Sequence, residues 1–558
     1  MILAAGNDRT TIAYVSTALE RRYERDYRIE YELSAPAALE RLEQMKAAGE
    51  PVALVLAEPW MDGLDGLGLL GRTGVLHPRA KRALLIDWGD WSDPATADAI
   101  RSAMAAGQID YYVLKPWKAP DELFHRQVTE FLSEWSVTDA SAPYEVTLVG
   151  DAWSPRSNEI RSLLARNGVP HTFHPSDAET GQRALASVEV EAGGKPVVIL
   201  LDGRALVDPS NAELAQAYGV STTPEQTEGP DVVVIGAGPS GLAAAVYAVS
   251  EGLSALVIER EAIGGQAGSS SRIRNYLGFA RGISGAELAQ RAYQQAWTFG
   301  ARFMAMREVA ELRPGDERHL LVSSDGTEIE ARCVVLAMGV TYRRLGIPAL
   351  EELVGAGVFH GASPAHVEQF TGSAVYVVGG GNSAGQVAIH LARFARSVGI
   401  LVRGPDLAAS MSQYLIDEIR TTPNIEVMTS TEIADAGGDG RLKRLTLRDS
   451  ASGGHREVEA DAAFIMIGAM PHTEWLPAEI CRDDHGFVLT GPDLASDAPR
   501  KAWPLDRPPH AFETSLPGVF AVGDVRSRSV KRVAAAVGEG SGVIQQIHGY
   551  LATQGRSG

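Results

Sequence analysis

Cysteine is almost absent from this chain of 558 residues, which contains only Cys333 and Cys481. Two cysteines this far apart in the sequence form neither a disulfide framework nor a CxxC site. An unpaired cysteine usually packs as a small hydrophobic residue. We therefore expect Cys333 to be a buried core residue and Cys481 to be incidental.

Basic residues and long apolar runs are also scarce. Lys and Arg number 51 against 70 Asp and Glu, which gives a formal net charge of −19. Such a surface repels phosphate backbones and anionic membranes, so we expect no nucleic-acid or membrane partner. The longest apolar stretches are runs such as PVVILL and DAAFIMIGAM, which are too short to span a membrane. The N-terminal segment MILAAGNDRTT lacks the basic and apolar regions of a signal peptide. These absences predict a soluble cytoplasmic protein.

The residues that are present predict an α/β protein of several domains. Residues 1–138 alternate short apolar strands with amphipathic helices, which is typical of a doubly wound sheet. Residues 144–220 contain the strands YEVTLVG, HTFHP and PVVILLDG, with Ser154 as N-cap and Pro155 in the first turn of a helix. Residues 231–558 contain two glycine-rich strand–turn–helix units, among 58 glycines in all.

The first glycine-rich unit is DVVVIGAGPSGLAAAVYAVSEGLSALVIERE. Strand Val232–Ile235 leads into Gly236, Gly238 and Gly241, which suit a tight turn, a close pyrophosphate and close helix packing. Glu259 ends the next strand at the spacing expected of an acid that binds ribose hydroxyls. The alternative is a glycine-rich turn without a ligand, but strand, glycines, helix, second strand and acid all occur in order.

The second unit is SAVYVVGGGNSAGQVAIHLARFARSVGILVRG. Gly379, Gly381 and Ala384 hold the three small positions, and Arg403 follows the second strand where an acid is absent. An arginine there suits a 2′-phosphate and favours NADPH over NADH. The alternative is an arginine that only faces solvent at the strand end.

Residues 231–558 resemble the low-molecular-weight thioredoxin reductases in GGQ at 264–266, RIRNYLGF, VVLAMG, GGGNSA and TSLPGVFAVGDV. The resemblance implies a homodimer with an FAD-binding domain at 229–348 and 470–558, split around an NAD(P)H-binding domain at 349–469. It also implies that Asp524 contacts the FAD ribitol or pyrophosphate, and that Gln266, Asn275 and 531–533 lie near the flavin. No metal site is predicted, and the cofactor contacts predicted from motifs and resemblance together are Gly236, Gly238, Ser240, Gly241, Glu259, Gly265, Gln266, Asn275, Gly339, Gly379, Gly381, Asn382, Ser383, Arg403, Gly468, Gly523, Asp524, Arg532 and Val533.

The chain departs from that family at its redox dithiol. The two cysteines of the family's CxxC fall on Ala362 and Ala365, and the acid that follows falls on His366. Disulfide exchange needs an attacking thiolate and a resolving thiol, so dithiol-based thioredoxin reduction is not expected. His366 is a candidate catalytic acid, and the alternative is a loop histidine in a structural hydrogen bond.

Residues 1–138 resemble the receiver domain of response regulators, with Lys115 in LKPW at the family's lysine. Glu58 replaces the phosphoacceptor aspartate, while Gly6 and Asn7 replace the acidic pair and Asp8 is shifted beyond it. Because phosphoryl transfer there needs Mg²⁺ held by those acids, we interpret the domain as a pseudo-receiver. Glu58 either stands for a permanently negative aspartate or reflects drift in an interaction domain.

Residues 144–220 resemble a thioredoxin or glutaredoxin fold. Trp153 precedes SPRS, in which Ser154 and Ser157 replace the CxxC cysteines, and Pro196 matches the family's cis-proline position. The whole chain is similar to fused response-regulator and thioredoxin-reductase-like proteins of bacteria.

Two classes of function remain open from the sequence. In the first, NADPH reduces FAD and the flavin passes electrons to a small-molecule or protein acceptor without a dithiol. In the second, the flavin or nucleotide state is sensed and a signalling partner binds the receiver-like surface.

Overall fold

The computed structural model describes residues 1–61, 63–117, 121–136, 146–167, 169–217, 229–270, 272–360, 369–496 and 503–554. The chain has the predicted mixed α/β architecture and divides into two compact units, 1–143 and 144–558. The division falls at Pro143, and the finer domain bounds stay predictions. In the ranges given above, every helix is too short or too polar to cross a membrane.

The first unit is a five-stranded sheet with helices between its strands. Its strands are β1 (Ile2–Ala5), β2 (Ile29–Glu32), β3 (Leu54–Ala57), β4 (Lys81–Ile86) and β5 (Tyr111–Leu114). Its helices are α1 (Arg9–Tyr23), α2 (Ala35–Ala48), α3 (Gly66–Leu76), α4 (Pro94–Ala105) and α5 (Glu122–Ser136). All neighbouring strands are parallel, in the order β2-β1-β3-β4-β5, which is a doubly wound order.

Local sequence explains these elements well. Strands β1 and β3 are buried at every residue, as an apolar strand covered on both faces must be. Four helices begin at a polar residue whose side chain accepts a backbone N–H of the first turn: Asp8, Ser34, Asp65 and Asp93. Such caps satisfy N–H groups that have no partner within the helix. The negative charge of the aspartates also interacts favourably with the positive end of the helix dipole.

The second unit begins with a small module, residues 146–167 and 169–217. It contains β6 (Val146–Gly150), α6 (Pro155–Arg166), β7 (His171–Pro175), α7 (Glu179–Ser187), β8 (Val197–Leu200), β9 (Ala205–Val207) and α8 (Asn211–Ala217). The sheet order is β7-β6-β8-β9, in which β6 and β7 are parallel and the other pairs antiparallel. The predicted cap is confirmed, because the Ser154 side chain accepts the N–H of Ser157 at the start of α6.

The five-stranded sheet that contains the first glycine-rich unit follows the small module, and we call it the first nucleotide sheet. Its strands are β10 (Val232–Ile235), β11 (Ala255–Glu259), β12 (Arg302–Ala305), β16 (Cys333–Leu336) and β27 (Val519–Ala521), all parallel in the order β12-β11-β10-β16-β27. The helices of this region are α9 (Pro239–Ser250), α10 (Gly285–Thr298), α14 (Asp493–Ser496) and α15 (Val533–Gln554). A small antiparallel sheet consists of β13 (Val309–Arg313), β14 (His319–Ser323) and β15 (Glu328–Ala331).

The second nucleotide sheet is inserted in the sequence of the first. Its strands come after β16 and before β27, which is the last strand of the first nucleotide sheet. Its parallel strands are β18 (Val358–His360), β19 (Ala374–Val378), β20 (Ser397–Leu401), β21 (Ile425–Met428) and β25 (Ala462–Ile465), in the order β18-β25-β19-β20-β21. Its helices are α11 (Pro348–Glu351), α12 (Asn382–Leu391) and α13 (Gln413–Thr421), and β22 (Thr431–Gly437), β23 (Arg444–Asp449) and β24 (His455–Glu459) form an antiparallel sheet. The chain crosses between the two nucleotide sheets in β17 (Val340–Tyr342) and β26 (Ala469–Pro471), which pair antiparallel.

Candidate functional site

The first glycine-rich turn joins β10 to the N-terminus of α9. A Cβ at Gly236 would lie 2.5 Å from the carbonyl oxygen of Ala337, and one at Gly241 would overlap the carbonyl of Gly236. Gly238 is different, because a Cβ there would have no atom within 4 Å. Gly238 also begins the helix without a side-chain cap, so the first N–H groups of α9 face an open approach. This arrangement fits a pyrophosphate at the helix N-terminus.

Glu259, at the end of β11, is buried against the same turn. Its carboxylate accepts N–H groups from Ala237 at 2.7 Å, Glu261 at 2.8 Å and Ala262 at 3.2 Å. Burial raises the pKa of Glu259, and the bonds from Ala237 and Glu261 oppose that effect. A carboxylate has about four acceptor positions, so one remains for a ribose hydroxyl.

The loop after Glu259 brings Gly265 and Gln266 to the turn. Gly264 donates its N–H to the carbonyl of Ala237 at 2.7 Å, and a Cβ at Gly265 would lie 3.2 Å from the Cα of Gly238. Gln266 donates from Nε2 to the carbonyl of Val340 at 2.5 Å, close in sequence to Gly339. Gly265, Gln266 and Gly339 are therefore adjacent to the α9 N-terminus or to β17.

The segment after β27 closes the other side of this turn. A Cβ at Gly523 would lie 2.5 Å from the Oγ of Ser240, which is buried in the first turn of α9. The next residue, Asp524, is half-buried, and burial raises the pKa of its carboxyl while Lys531 opposes the change. The structure thus joins Ser240, Gly523 and Asp524 at the N-terminus of α9.

Three predicted contacts of this region, Arg532, Val533 and Asn275, show no bond to the residues of the α9 turn. Val533 begins α15, and Arg532 accepts the N–H of Ala536 at its backbone carbonyl, so both residues lie where α15 starts. The side chain of Asn275 is exposed and bonds to none of the described residues. Its predicted place near the flavin stays a prediction.

Sequence reasoning missed Glu539, which holds this site together. Its carboxylate accepts the N–H of Gly523 at 2.7 Å and pairs with Arg526 at 2.7 Å. The only signal was the sequence GEG at 538–540, and a glutamate within a helix does not by itself indicate such a bond. The residues present fit FAD. An open helix N-terminus, an acidic residue that can bind ribose hydroxyls and the segment 523–524 meet at the carboxyl ends of β10, β11 and β27.

The second glycine-rich turn repeats the arrangement at β19 and α12. A Cβ at Gly379 would overlap the carbonyl of Met466, whereas Gly381 begins α12 with no side-chain cap, and a Cβ there would have the carbonyl oxygen of Ser410 as its nearest neighbour, at 4.0 Å. Asn382 accepts the N–H of Ser412 at 2.7 Å through its side chain, and Ser383 is exposed in the first helical turn. An open, uncapped helix N-terminus of this kind fits a second pyrophosphate.

Arg403 and Gly468 lie at the carboxyl ends of two strands of the second nucleotide sheet. Arg403 follows β20, is exposed and has no partner among the described residues. Gly468 follows β25 in open space and accepts the N–H of Arg343 at 3.0 Å. An exposed guanidinium without a partner at this edge is available to a phosphate.

The predicted dithiol positions and the candidate acid, Ala362, Ala365 and His366, lie outside the described residues. Both cysteines are described, and they are free thiols. Cys333 is buried in β16 as predicted, and burial raises the pKa of its thiol. A thiol held protonated and out of solvent is a poor nucleophile.

In the first unit, Glu58 lies at the end of β3 in an ion pair with Lys115, with Oε1 and Nζ 2.7 Å apart. Its Oε2 accepts the N–H of Asn7 at 3.0 Å, and a Cβ at Gly6 would lie 2.6 Å from its carboxyl carbon. Lys115 also pairs with Asp87 at 2.9 Å. Burial alone would lower the pKa of Lys115, but the two acids outweigh it and raise the value. Among the described residues there is no cluster of acids, histidines or cysteines suited to a metal ion.

In the small module, the stretch before α6 carries the serines that replace the predicted cysteines. Ser154 caps the helix, and Ser157 is fully buried with its Oγ unpartnered in the described structure. A Cβ at Gly150 would lie 2.5 Å from that Oγ and 3.4 Å from the Cβ of Pro196. Pro196 thus lies beside this stretch, next to β8.

Comparison with known proteins identifies relatives of the C-terminal part of the chain. The family model described as pyridine nucleotide-disulphide oxidoreductase matches residues 230–540. The thioredoxin reductase of Bacillus subtilis (strain 168) is 33% identical over 326 residues, which are 58% of this chain and 94% of that protein. The thioredoxin reductase of Mycolicibacterium smegmatis is 33% identical over 324 residues, which are 58% of this chain and 97% of that protein.

A solved structure agrees with these relatives. The crystal structure of Lactococcus lactis thioredoxin reductase (FR conformation) superposes with a TM-score of 0.51 at 26% identity, over 58% of this chain and 99% of that one. The likeness is confined to the C-terminal part and includes neither the first unit nor the small module. The chain belongs to the pyridine nucleotide-disulphide oxidoreductase family, as an FAD- and NADPH-dependent oxidoreductase of thioredoxin-reductase build.

Proposed function

We propose that the protein oxidises NADPH through FAD and delivers the electrons to an acceptor without using a dithiol of its own. The observation that carries the proposal is the thiol inventory. Alanine occupies both predicted dithiol positions, Ala362 and Ala365, and Cys333 is buried in a strand. Thiol exchange needs an accessible thiolate and a resolving thiol, and the chain offers no such pair.

The chain's own residues account for binding of the two nucleotides. The open N-termini of α9 and α12 would bind the two pyrophosphates, and Glu259 would accept one ribose hydroxyl. Arg403 would bind the 2′-phosphate of NADPH and so distinguish it from NADH. When bound, FAD supplies the chemistry of accepting a hydride and passing electrons onward.

The test is NADPH oxidation by the purified, FAD-containing protein. We expect NADPH to bleach the flavin and the protein to reduce artificial acceptors such as ferricyanide, but not thioredoxin or a small aromatic disulfide. The double variant Cys333→Ala/Cys481→Ala should keep the parental rate with the artificial acceptor. Loss of that activity in a double variant that keeps its FAD would show that a thiol takes part and would overturn the proposal.

A second proposal concerns the first unit, which we infer to be a receiver-like module that cannot be phosphorylated. The observation in its favour is the Glu58–Lys115 pair, whose carboxylate fills the space beside Gly6. A receiver-like surface that cannot be phosphorylated would suit a module that a signalling partner binds in one constant state. Incubation with acetyl phosphate and Mg²⁺ should leave the mass of the intact protein unchanged, and an added phosphoryl group would contradict the inference.

The small module is proposed to be thioredoxin-like and redox-inactive, since Ser154 and Ser157 stand where a dithiol would be. The homodimer implied by the family resemblance stays a prediction, which sedimentation equilibrium can measure.

A further inference from the structure

Helix α6 of the small module contacts the region of the second nucleotide sheet at its N-terminal end. Asn158 donates from Nδ2 to the carbonyl of Gly355 at 2.8 Å, and Arg161 donates from Nη1 to Oε1 of Gln369 at 2.8 Å. Gly355 has φ +81°, and a Cβ there would lie 2.8 Å from the Cα of Pro155. Backbone therefore meets backbone at this end of the helix, which requires close and specific packing.

The loop before α6 adds an aromatic contact to the same end. Trp153 packs edge-on against Phe370, with ring centroids 6.4 Å apart, and belongs to the periphery of the core of the second nucleotide sheet. Arg441, from the turn between β22 and β23, lies over the Trp153 ring at 4.9 Å. Asn158 and Arg161 are themselves buried, so this end is held by apolar and buried polar contacts.

The C-terminal end of α6 contacts a different part of the protein, the loop 259–266 beside the FAD turn. Arg166 pairs with Glu261, with Nη1 and Oε2 2.9 Å apart, and the Glu261 side chain is 48% exposed. Asn167 accepts the N–H of Ile263 at 3.3 Å through Oδ1. The Arg166 side chain is 23% exposed, and it also donates from Nη2 to the carbonyl of Gly265 at 3.5 Å. This end is therefore held by one partly exposed ion pair, which salt screens, and by two long hydrogen bonds.

The covalent connections between the two nucleotide sheets are short by comparison. The chain passes from one to the other in β17 and returns in β26, a pair of three-residue strands. Two short crossing strands permit rotation of one sheet region against the other, as a hinge does. A third contact that spans both regions would restrict that rotation.

We propose that the small module is an internal brace, in which α6 stays attached to the second nucleotide sheet and latches onto loop 259–266 through Arg166 and Glu261. The buried contacts at its N-terminal end fix the module to that sheet region. The partly exposed ion pair at the other end, with its long hydrogen bonds, is the weaker attachment and releases first. Loop 259–266 begins at Glu259 and contains Gly265 and Gln266, which lie beside the α9 turn. Release of the latch therefore loosens the region around the proposed FAD site. The inference does not depend on which acceptor the protein reduces.

The test is hydrogen exchange measured by mass spectrometry on the full-length, FAD-containing protein. Arg166→Ala and Glu261→Gln each remove the ion pair, and both should speed exchange in peptides that cover 259–266 by roughly two- to fivefold, the range expected of an exposed pair. Peptides that cover 353–359 and 369–378 should keep parental exchange, because the other end of α6 stays attached. Raising the salt concentration should speed exchange at 259–266 in the parent but have little effect in either variant.

Arg183→Ala is the matched control. Arg183 is an exposed arginine on α7 of the same module, with its only described partner, Glu179, on the same helix. It should leave exchange at 259–266 unchanged. Unchanged exchange in Arg166→Ala and in Glu261→Gln would show that the latch does not exist. Equal acceleration at 259–266, 353–359 and 369–378 would show that the module does not stay with the second nucleotide sheet, and would equally overturn the proposal.

Discussion

At the scale of single residues, several positions are restricted because a neighbouring group occupies the space that a side chain would need. Gly523 has φ +71° and lies against Ser240, and Gly6 lies against the carboxylate of Glu58. Gly538, in contrast, lies on the exposed face of α15 with open space around it. We therefore expect substitution by alanine to have different effects at these three glycines.

Gly523→Ala should weaken FAD binding. A left-handed backbone costs a residue with a Cβ about 1–2 kcal/mol, and contact with Ser240 adds to that cost. The FAD content of the purified variant, read from absorbance, should fall at least about tenfold at limiting FAD. Gly538→Ala is the control and should retain FAD while gaining about 0.5–1 kcal/mol in stability. Full FAD content in Gly523→Ala would contradict the proposed site.

Gly6→Ala should destabilise the first unit by about 1–3 kcal/mol, because the added methyl group displaces the Glu58 carboxylate from its bonds. Adding Glu58→Ala removes the obstructing group. In urea unfolding, the double variant should therefore lose less stability than the sum of the single variants, by at least about 0.5 kcal/mol. Additive losses would show that Gly6 and Glu58 are not packed against each other.

Arg403→Ala should reduce the preference for NADPH over NADH. The guanidinium is exposed and unpaired among the described residues, so its removal leaves no buried partner unsatisfied. Loss of a charge-assisted bond of about 1.5–3 kcal/mol corresponds to a loss of NADPH affinity of about 10- to 150-fold, with little change for NADH. Rates of flavin reduction at graded nucleotide concentrations measure this. Arg420→Ala, on the surface of α13, should behave as the parent.

At the scale of secondary-structure elements, α15 and the segment after β27 are coupled through Glu539. Burial raises the pKa of this carboxyl, but the Arg526 ion pair and the N–H of Gly523 outweigh burial and hold it below the ordinary 4.5. A group with a lowered pKa in the folded protein stabilises it above the unfolded value and loses that effect as the pH falls through the folded value. The attachment of 523–526 to α15 should therefore weaken in acid below about pH 4.5.

Glu539→Gln should retain less FAD near pH 7 and should show a smaller further loss on acidification than the parent. The amide cannot be protonated and cannot form the ion pair with Arg526. FAD fluorescence on release, followed from about pH 7 to about pH 3 at low protein concentration, measures both effects. An acid profile identical to that of the parent would show that Glu539 does not control the segment.

At the scale of the whole molecule, each of the two units has hydrophobic cores of its own. The cores of the first unit contain residues from Met1 to Trp135, and those around the nucleotide sheets contain residues from Val232 onward. The cofactor turns belong entirely to the second unit. Cofactor binding is therefore linked to the stability of residues 144–558.

Removing FAD should lower the thermal stability of the second unit. A ligand at about 100 times its Kd contributes about 2.7 kcal/mol to the folded state. Calorimetry of the stripped protein should show a lower Tm for a transition that added FAD restores. A scan unchanged by stripping and by FAD would contradict the assignment of the α9 turn as the cofactor site.

The sequence alone determined the features that depend on a few neighbouring residues. Strand Val232–Ile235, the N-cap at Ser154 and the burial of Cys333 were predicted and are confirmed, since caps and apolar runs follow local steric and hydrogen-bonding rules. The short strand β9 was not predicted, because three residues carry too little periodicity. The missing dithiol was also readable, because it is a matter of residue identity.

Only the tertiary structure decided which distant residues meet. Glu539 at Gly523, Glu58 at Gly6 and α6 against both nucleotide regions join segments far apart in the chain. No local rule selects such partners, because each side chain could be satisfied by solvent or by many other groups until packing chooses one.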